Sequence, residues 1–370
     1  MGDSRNGITQ AMLHGTWKLS RGVSGTVFLL TMLAACGRLG YERVPSGVGD
    51  GSTSAMDSAL MRDGGDGDGA VMRDSGDGDG TVMRDSGRVM DDGGGGGPCE
   101  AWGPWSAPER LASVNSPSDD WRASITADGL EIYLHSWRPG GMGGGDIWVA
   151  TRSDTAAPFD PAVFLAEVSS ASAEFDPFIS ADGLTLLWAS NRTGTAGADL
   201  WIAMRADRSR AFTLIGEVPN VNSSNNEYSP WVSPDGKRLY FTSQRPGTGG
   251  SDIWMAARPD VSSDFDPPVQ VEGVNTTFHE RASALSPDER EIYFASTRGA
   301  GSDLDIYVAT RPDRLSGFET PTELGPAFNT TFDDTDPFVS PDGMTLLLNR
   351  DTDTVGGRQS DVWVSTRNCL

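Results

Sequence analysis

Five carboxylates recur at equivalent places in this chain: Asp120, Glu174, Glu227, Glu280 and Asp334. Such an array can supply a general acid or base, hold a cation or a cationic ligand, or cap backbone N–H groups. Each acid lies eight residues before a turn Asp, at Asp128, Asp182, Asp235, Asp288 and Asp342. Just after the acid the copies diverge: Trp121-Arg122, Phe175-Asp176, Tyr228-Ser229, Arg281-Ala282 and Thr335-Asp336. His279 precedes the acid in the fourth copy only. Function should break the symmetry of a repeat. Aromatic, Arg, His and acid residues gathered on one rim suit a polar ligand or a peptide. The candidate ligand site is therefore the five acids with Trp121, Arg122, Phe175, Tyr228, His279 and Arg281.

Other chemistry finds little support. Of the three His, His14 lies in the leader, which leaves His135 and His279. No Gly-x-Ser-x-Gly elbow stands between a strand and a helix. No His/Cys cluster offers a zinc site. No catalytic residue, metal or cofactor is assigned. The enzyme alternative is a glycoside hydrolase, which needs two carboxylates roughly 5 to 9 Å apart across a sugar. A ring of acids could supply them. Against it, all five acids hold repeat-equivalent positions, as structural residues would.

The acids belong to a segment of about 53 residues that occurs five times, a period that signals a radial β architecture. A second Asp opens an apolar run at Asp146, Asp199, Asp252, Asp305 and Asp361, and an Arg closes it at Arg152, Arg205, Arg258, Arg311 and Arg367. In the second copy, Asp176–Ser180, Leu184–Ser190, Asp199–Arg205 and Phe212–Glu217 read as strands, with an Asp182-Gly183 turn between the first two. No stretch keeps an apolar period near 3.6 over ten residues, so helices should be nearly absent. Four antiparallel strands make one propeller blade, and five copies predict an all-β, five-bladed β-propeller.

Ser233-Pro-Asp-Gly-Lys-Arg-Leu-Tyr-Phe-Thr-Ser243, followed by Gly249-Gly-Ser-Asp-Ile-Trp254, resembles the WD40-like repeat of the TolB-type β-propellers. The pattern covers residues 104–370. The resemblance implies the fold. It implies little about function, because that family includes periplasmic scaffolds, peptidoglycan-associated lipoproteins and peptidase-linked propellers.

The chain enters the repeats with a fourth-type strand, Trp105–Leu111, and leaves with a third-type strand, Asp361–Arg367. The first segment should complete the last blade, which removes exposed sheet edges. Aligning the repeats places Cys99 and Cys369 on either side of the break in that blade. In an exported, oxidising setting a disulfide between them would pin the seam.

Several repeated residues read as structural. Arg138, Arg192, Arg245, Arg298 and Arg350 and the Asp opening the third strand should satisfy loop backbone groups and one another, as in the pair Asp252 with Arg245. Trp148, Trp201, Trp254, Tyr307 and Trp363 should pack between blades. Asn115, Asn222, Asn275 and Asn329, with Ser169 in the second copy, look like turn residues.

Ahead of the repeats, Lys18 and Arg21 precede the apolar run Val27–Ala35, which ends at Cys36. The run is shorter than the about 20 residues of a membrane span and has the form of a secretory signal. Leu33-Ala34-Ala35-Cys36 resembles a bacterial lipobox, which implies lipidation of Cys36; Met12 is an alternative start. Gly37, by analogy with enteric lipoproteins, points to the outer membrane. Residues 37–97 then read as a Gly/Asp-rich tether, with too little apolar surface to offset ordering entropy. Its Asp-Gly-Asp-Gly runs lack the Glu that an EF-hand loop requires. Residues 98–370 form the propeller.

A net charge of −23 argues against nucleic acid as a partner. The expectation is a monomeric, lipid-anchored envelope propeller, periplasmic or surface-facing. It would bind an envelope protein, a peptide or a glycan at its channel mouth without catalysis. A glycoside hydrolase is the first alternative, and a calcium- or glycan-dependent adhesion module the second.

Overall fold

The computed structural model describes residue 99 and residues 101–192, 197–299, 303–354 and 357–370. The described residues belong to the compact unit Arg88–Leu370. The leader, Cys36 and the tether lie outside the described residues.

The first strand among the described residues is the two-residue β1 (Glu109–Arg110), whose sheet is completed only by the last strands. The first blade is β2 (Asp120–Ile125), β3 (Glu131–Ser136), β4 (Asp146–Thr151) and β5 (Val163–Phe164). The second is β6 (Glu174–Ile179), β7 (Thr185–Ser190), β8 (Asp199–Met204) and β9 (Thr213–Glu217). The third is β10 (Glu227–Val232), β11 (Arg238–Ser243), β12 (Asp252–Ala257) and β13 (Val269–Gln270). The fourth is β14 (Glu280–Leu285), β15 (Glu291–Ser296), β16 (Asp305–Thr310) and β17 (Thr322–Glu323). The fifth is β18 (Asp334–Val339), β19 (Thr345–Thr354) and β20 (Gly357–Thr366), with β1 as its outer strand. All pairings are antiparallel, and the fold is a five-bladed β-propeller.

Closure follows the strand order expected from sequence. Glu109 pairs with Val364 and Arg110 with Trp363. The Arg110 guanidinium grips both oxygens of Asp361 at 2.8 Å, and Cys99 is bonded to Cys369. In the other blades the Arg closing the third strand lies over a Phe: Phe159, Phe212, Phe265 or Phe318. Arg367 lies instead over Trp102 and Trp105, 4.3 Å from each ring. The first segment thus fills the place that the fifth copy lacks.

One element was not expected. The β19–β20 hairpin is ten residues long on each side, against six in the corresponding strands of the other blades. Pairing continues to Thr354 and Gly357. Gln359 donates to the carbonyls of Ser116 and Ser118, and Ser360 N–H donates to Asp119. The hairpin therefore clasps the segment that joins β1 to the first blade. The polar residues of Asp351–Ser360 carry no apolar alternation that would mark a strand.

The middle strands are buried on both faces. Ile132, Leu134, Leu186, Leu239, Phe241, Ile292, Phe294 and Leu346 are fully enclosed, as expected where each sheet is covered by a neighbour on either side. Phe178 on β6 touches Trp231 on β10 and Phe338 on β18, with ring centroids 6.3 and 6.2 Å apart. Blades two and five are not neighbours in the ring, so this contact crosses the axis. The three rings meet there.

Candidate functional site

Each blade presents the same frame at the start of its inner strand. The acid is fully buried in all five copies. In the third, Glu227 accepts from Ser223 N–H at 2.9 Å and from the Ser223 and Ser243 hydroxyls at 2.7 Å. Arg245 Nη2 completes the shell at 3.1 Å. The same ion pair occurs as Asp120–Arg138, Glu174–Arg192, Glu280–Arg298 and Asp334–Arg350. A buried carboxylate needs such pairing to stay charged. Of the roles open to the five acids, these bonds supply backbone capping and ion pairing.

The frame also joins blades. The backbone N–H groups of Glu174, Glu227, Glu280 and Asp334 donate to Gly145, Ala198, Ser251 and Leu304 of the preceding blade. Asn222 clasps both backbone groups of Leu200, with Asn275, Asn329 and Asn115 doing the same on Ile253, Ile306 and Val362. These are more than turn residues, and Ser169, their counterpart, leaves its hydroxyl without a partner.

One expected pairing is corrected. Arg245 pairs with Glu227 and not with Asp252, whose carboxylate accepts from Thr248 and Gly249 N–H. Trp148, Trp201, Trp254, Tyr307 and Trp363 each lie under the Arg of their own blade, 4.5 to 5.3 Å from its guanidinium carbon. The contact is of cation–π type, and Trp201 and Trp363 also border core clusters shared by two neighbouring blades.

Two residues beyond each acid the frame is broken by a bulge. Arg122, Asp176, Ser229, Ala282 and Asp336 all have positive φ, between 32° and 54°, and pairing shifts at each place. Non-glycine residues enter this region at a cost of about 1 to 3 kcal/mol each. Bulges re-aim side chains, and here they turn them towards the axis. Pro177, Pro230 and Pro337, which follow three of these residues, donate no backbone hydrogen bond there.

Three charged groups converge as a result. The Arg122 side chain is 1% exposed, and its Nη2 is 3.4 Å from the carbonyls of Ser229, Pro230 and Ser283, on two other blades. Its Nη1 has no hydrogen-bond partner and lies 3.9 Å from Asp336 Oδ1. Asp176 accepts from the Ser229 N–H and hydroxyl at 3.1 and 2.8 Å. Burial, reinforced by the charge of Asp176, pushes the Asp336 carboxyl up to about 7, with Arg122 and Arg281 opposing. Burial lowers the Arg122 guanidinium, with Asp176 and Asp336 opposing.

Aromatic residues stand beside this group. Tyr228 meets Phe175 edge-on at 6.1 Å, and Phe175 meets His135 at 5.3 Å. His135 is buried, its Nε2 is without a partner, and burial lowers its imidazole to about 4. It is neutral at pH 7. Trp137, 43% exposed, continues the row outward, 6.1 Å from His135. A Cβ at Gly145 would fall 2.3 Å from His135 Nε2, so the Gly-rich loop can pass here only without a side chain.

The structure thus brings Arg122, Phe175 and Tyr228 together. Trp121 pairs with His135 across the first blade. Arg281 is half-buried and close enough to influence Asp336 and Tyr228. His279 lies where blades three and four meet, its Nδ1 3.4 Å from the Ser251 hydroxyl and its ring against Gly250. The corresponding Asp119, Asn226 and Asp333 also accept backbone N–H groups of the preceding blade. Asp176, Asp336 and His135 were not selected from the sequence. The first two stood in the diverging dipeptides, and a charged residue at a position otherwise small was the available signal.

No protein-family model and no curated protein sequence matches this chain. Among solved structures it is similar to TolB from Acinetobacter baumannii, with 16% identity over 69% of this chain and a TM-score of 0.41. It is also similar to a thermostable family-43 glycoside hydrolase, with 14% identity, 67% of this chain, 90% of that one and a TM-score of 0.46. A third is an endo-arabinase from Bacteroides thetaiotaomicron, with 13% identity, 73% of this chain, 98% of that one and a TM-score of 0.48. The similarity spans 56% of the TolB chain.

Proposed function

We propose that this protein is a lipid-anchored envelope propeller that binds a polar ligand (a protein, a peptide or a glycan) at its channel mouth. One observation carries the reading. Five blades repeat the acid–Arg frame, while the bulge positions that face the axis differ from blade to blade and supply Arg122, Asp176 and Asp336. Residues kept for stability alone would repeat here too. The lipobox-like Leu33-Ala34-Ala35-Cys36 and the Gly/Asp-rich stretch after it support anchoring by a long tether.

Catalysis is a second reading with its own support. Two carboxylates, Asp176 and Asp336, share one channel, and Asp336 holds its proton up to about pH 7. Two carboxyl groups facing one site are the arrangement that glycoside hydrolysis uses. The test measures ligand capture and glycan turnover on the same variants. Loss of capture in Tyr228→Ala and Arg281→Ala, with no turnover by the parent protein, supports binding. Turnover that vanishes in Asp336→Asn or Asp176→Asn, with the melting temperature kept, replaces binding by hydrolysis.

A further inference from the structure

The β19–β20 hairpin meets the seam of the ring through carboxylates. Asp351 N–H donates to the Asp333 carbonyl at 3.1 Å, just ahead of β18. The residues at the same place in the other blades, Trp137, Asn191, Gln244 and Thr297, donate to the carbonyls of Asp119, Ala173, Asn226 and His279. In the third blade a side-chain bond is added. Asn226 Nδ2 donates to Gln244 Oε1 at 2.7 Å, while Asn226 Oδ1 accepts from Ala198 N–H at 2.8 Å. In the fifth blade Asp333 Oδ1 accepts from Leu304 N–H at 2.8 Å in the same way. Its other oxygen therefore takes the place of the Asn226 donor, and Asp351 takes the place of the Gln244 acceptor. Two carboxyl groups stand in for two hydrogen-bonded amides, and the bond lacks only its hydrogen.

Asp351 is buried. Ser360, its partner across the hairpin, donates its N–H to Asp119 Oδ1 at 3.1 Å. Arg358 Nη1 is 3.9 Å from Asp351 Oδ2, beyond a hydrogen bond. Asp334, Asp120 and Asp361 on the packed strands are taken up by Arg350, Arg138 and Arg110. Burial pushes the Asp351 carboxyl up to about 6, with Asp333 and Asp119 reinforcing and Ser360 and Arg358 opposing. A free carboxyl titrates at about 3.9. The contact made by protonated Asp351 is therefore fully present below about pH 4 and is lost as pH rises through about 6.

We propose that the hairpin is a proton-operated latch on the seam: a proton shared between Asp351 and Asp333 restores the bond that Asn226 and Gln244 make, and its loss sets two carboxylates against each other and eases the hairpin away. Asn349, two residues before Asp351, accepts from Arg122 N–H and donates to the Asp120 carbonyl, both at 2.6 Å. A shift of β19 is thereby passed to the bulge of the first blade. The latch does not depend on what the mouth binds.

The test follows amide hydrogen exchange in the full chain in detergent at pH 5 and pH 7.5, corrected for intrinsic rates. Protection of the Asp351 and Ser360 amides should be about 10-fold higher at pH 5. Asp333→Asn and Asp351→Asn each restore a donor, and should give the pH 5 protection at both pH values. Either variant serves if the other does not fold. Asp336→Asn should leave the response intact, since the axial carboxyl is a separate group. Equal protection of the parent at the two pH values overturns the latch. A response that persists in both Asp333→Asn and Asp351→Asn also overturns it, as does one that disappears in Asp336→Asn.

Discussion

Arg122 Nη1 and Asp336 Oδ1 face each other at 3.9 Å, joining the first inner strand to the last beside the closure of the ring. The five acid–Arg pairs of the frame each lie within one blade. This pair lies between blades and depends on two bulges of the same kind.

Its protonation sets a pH dependence. The Asp336 carboxyl titrates near 7 when folded, against about 3.9 when unfolded. The folded state therefore holds the proton more tightly. The stability this supplies is fully present below about pH 4 and is lost as pH rises through about 7. Asp176 on β6, Arg122 on β2 and Arg281 on β14 act directly on the group, while Tyr228 on β10 and His135 on β3 sense Asp176. Asp336→Asn, permanently neutral, should gain in melting temperature relative to the parent between pH 5 and pH 8. A constant difference over that range would show that Asp336 is ionised throughout.

The frame should respond differently from the mouth. Glu227→Ala leaves the half-buried Arg245 guanidinium without its carboxylate, at a cost of about 3 kcal/mol. The melting temperature should fall by roughly 10 °C for a domain of this size. Arg281→Ala, at a half-buried mouth position, should change it by much less. Equal losses from both would remove the distinction between frame and site.

The Cys99–Cys369 bond encloses nearly the whole propeller, with a sequence separation of 270. The chain-entropy account assigns on the order of 5 kcal/mol to such a loop. The seam is also held by β1 on β20 and by Gln359 on Ser116. Thermal unfolding with and without reductant should show a lower but still cooperative transition after reduction. An unchanged midpoint would mean that the strand and hairpin contacts close the ring by themselves.

Membrane attachment is tested at Cys36. Cys36→Ser should release the protein from membranes or leave it unprocessed, and a protease cut within the tether should free a soluble propeller. Fractionation that finds the Ser variant as firmly bound as the parent would exclude the lipid.

The sequence alone determined the blade count, the strand order, the closure by the first segment and the Cys99–Cys369 pair. These follow from a period, from which strand type comes first and last, and from two Cys that the repeat brings level. All are regularities along the chain, so they are legible in one dimension. The frame was legible in part. Glu227, Arg245 and Asp252 were visible as repeated, but which of them pair depends on distances that a linear pattern does not hold. The site was decided by tertiary structure. One extra residue per inner strand inverts the side-chain direction that alternation would assign, and so aims Arg122, Asp176 and Asp336 at the axis. Their meeting further requires five strands to converge there. Far apart in sequence, on three different blades, they become neighbours only because the ring closes.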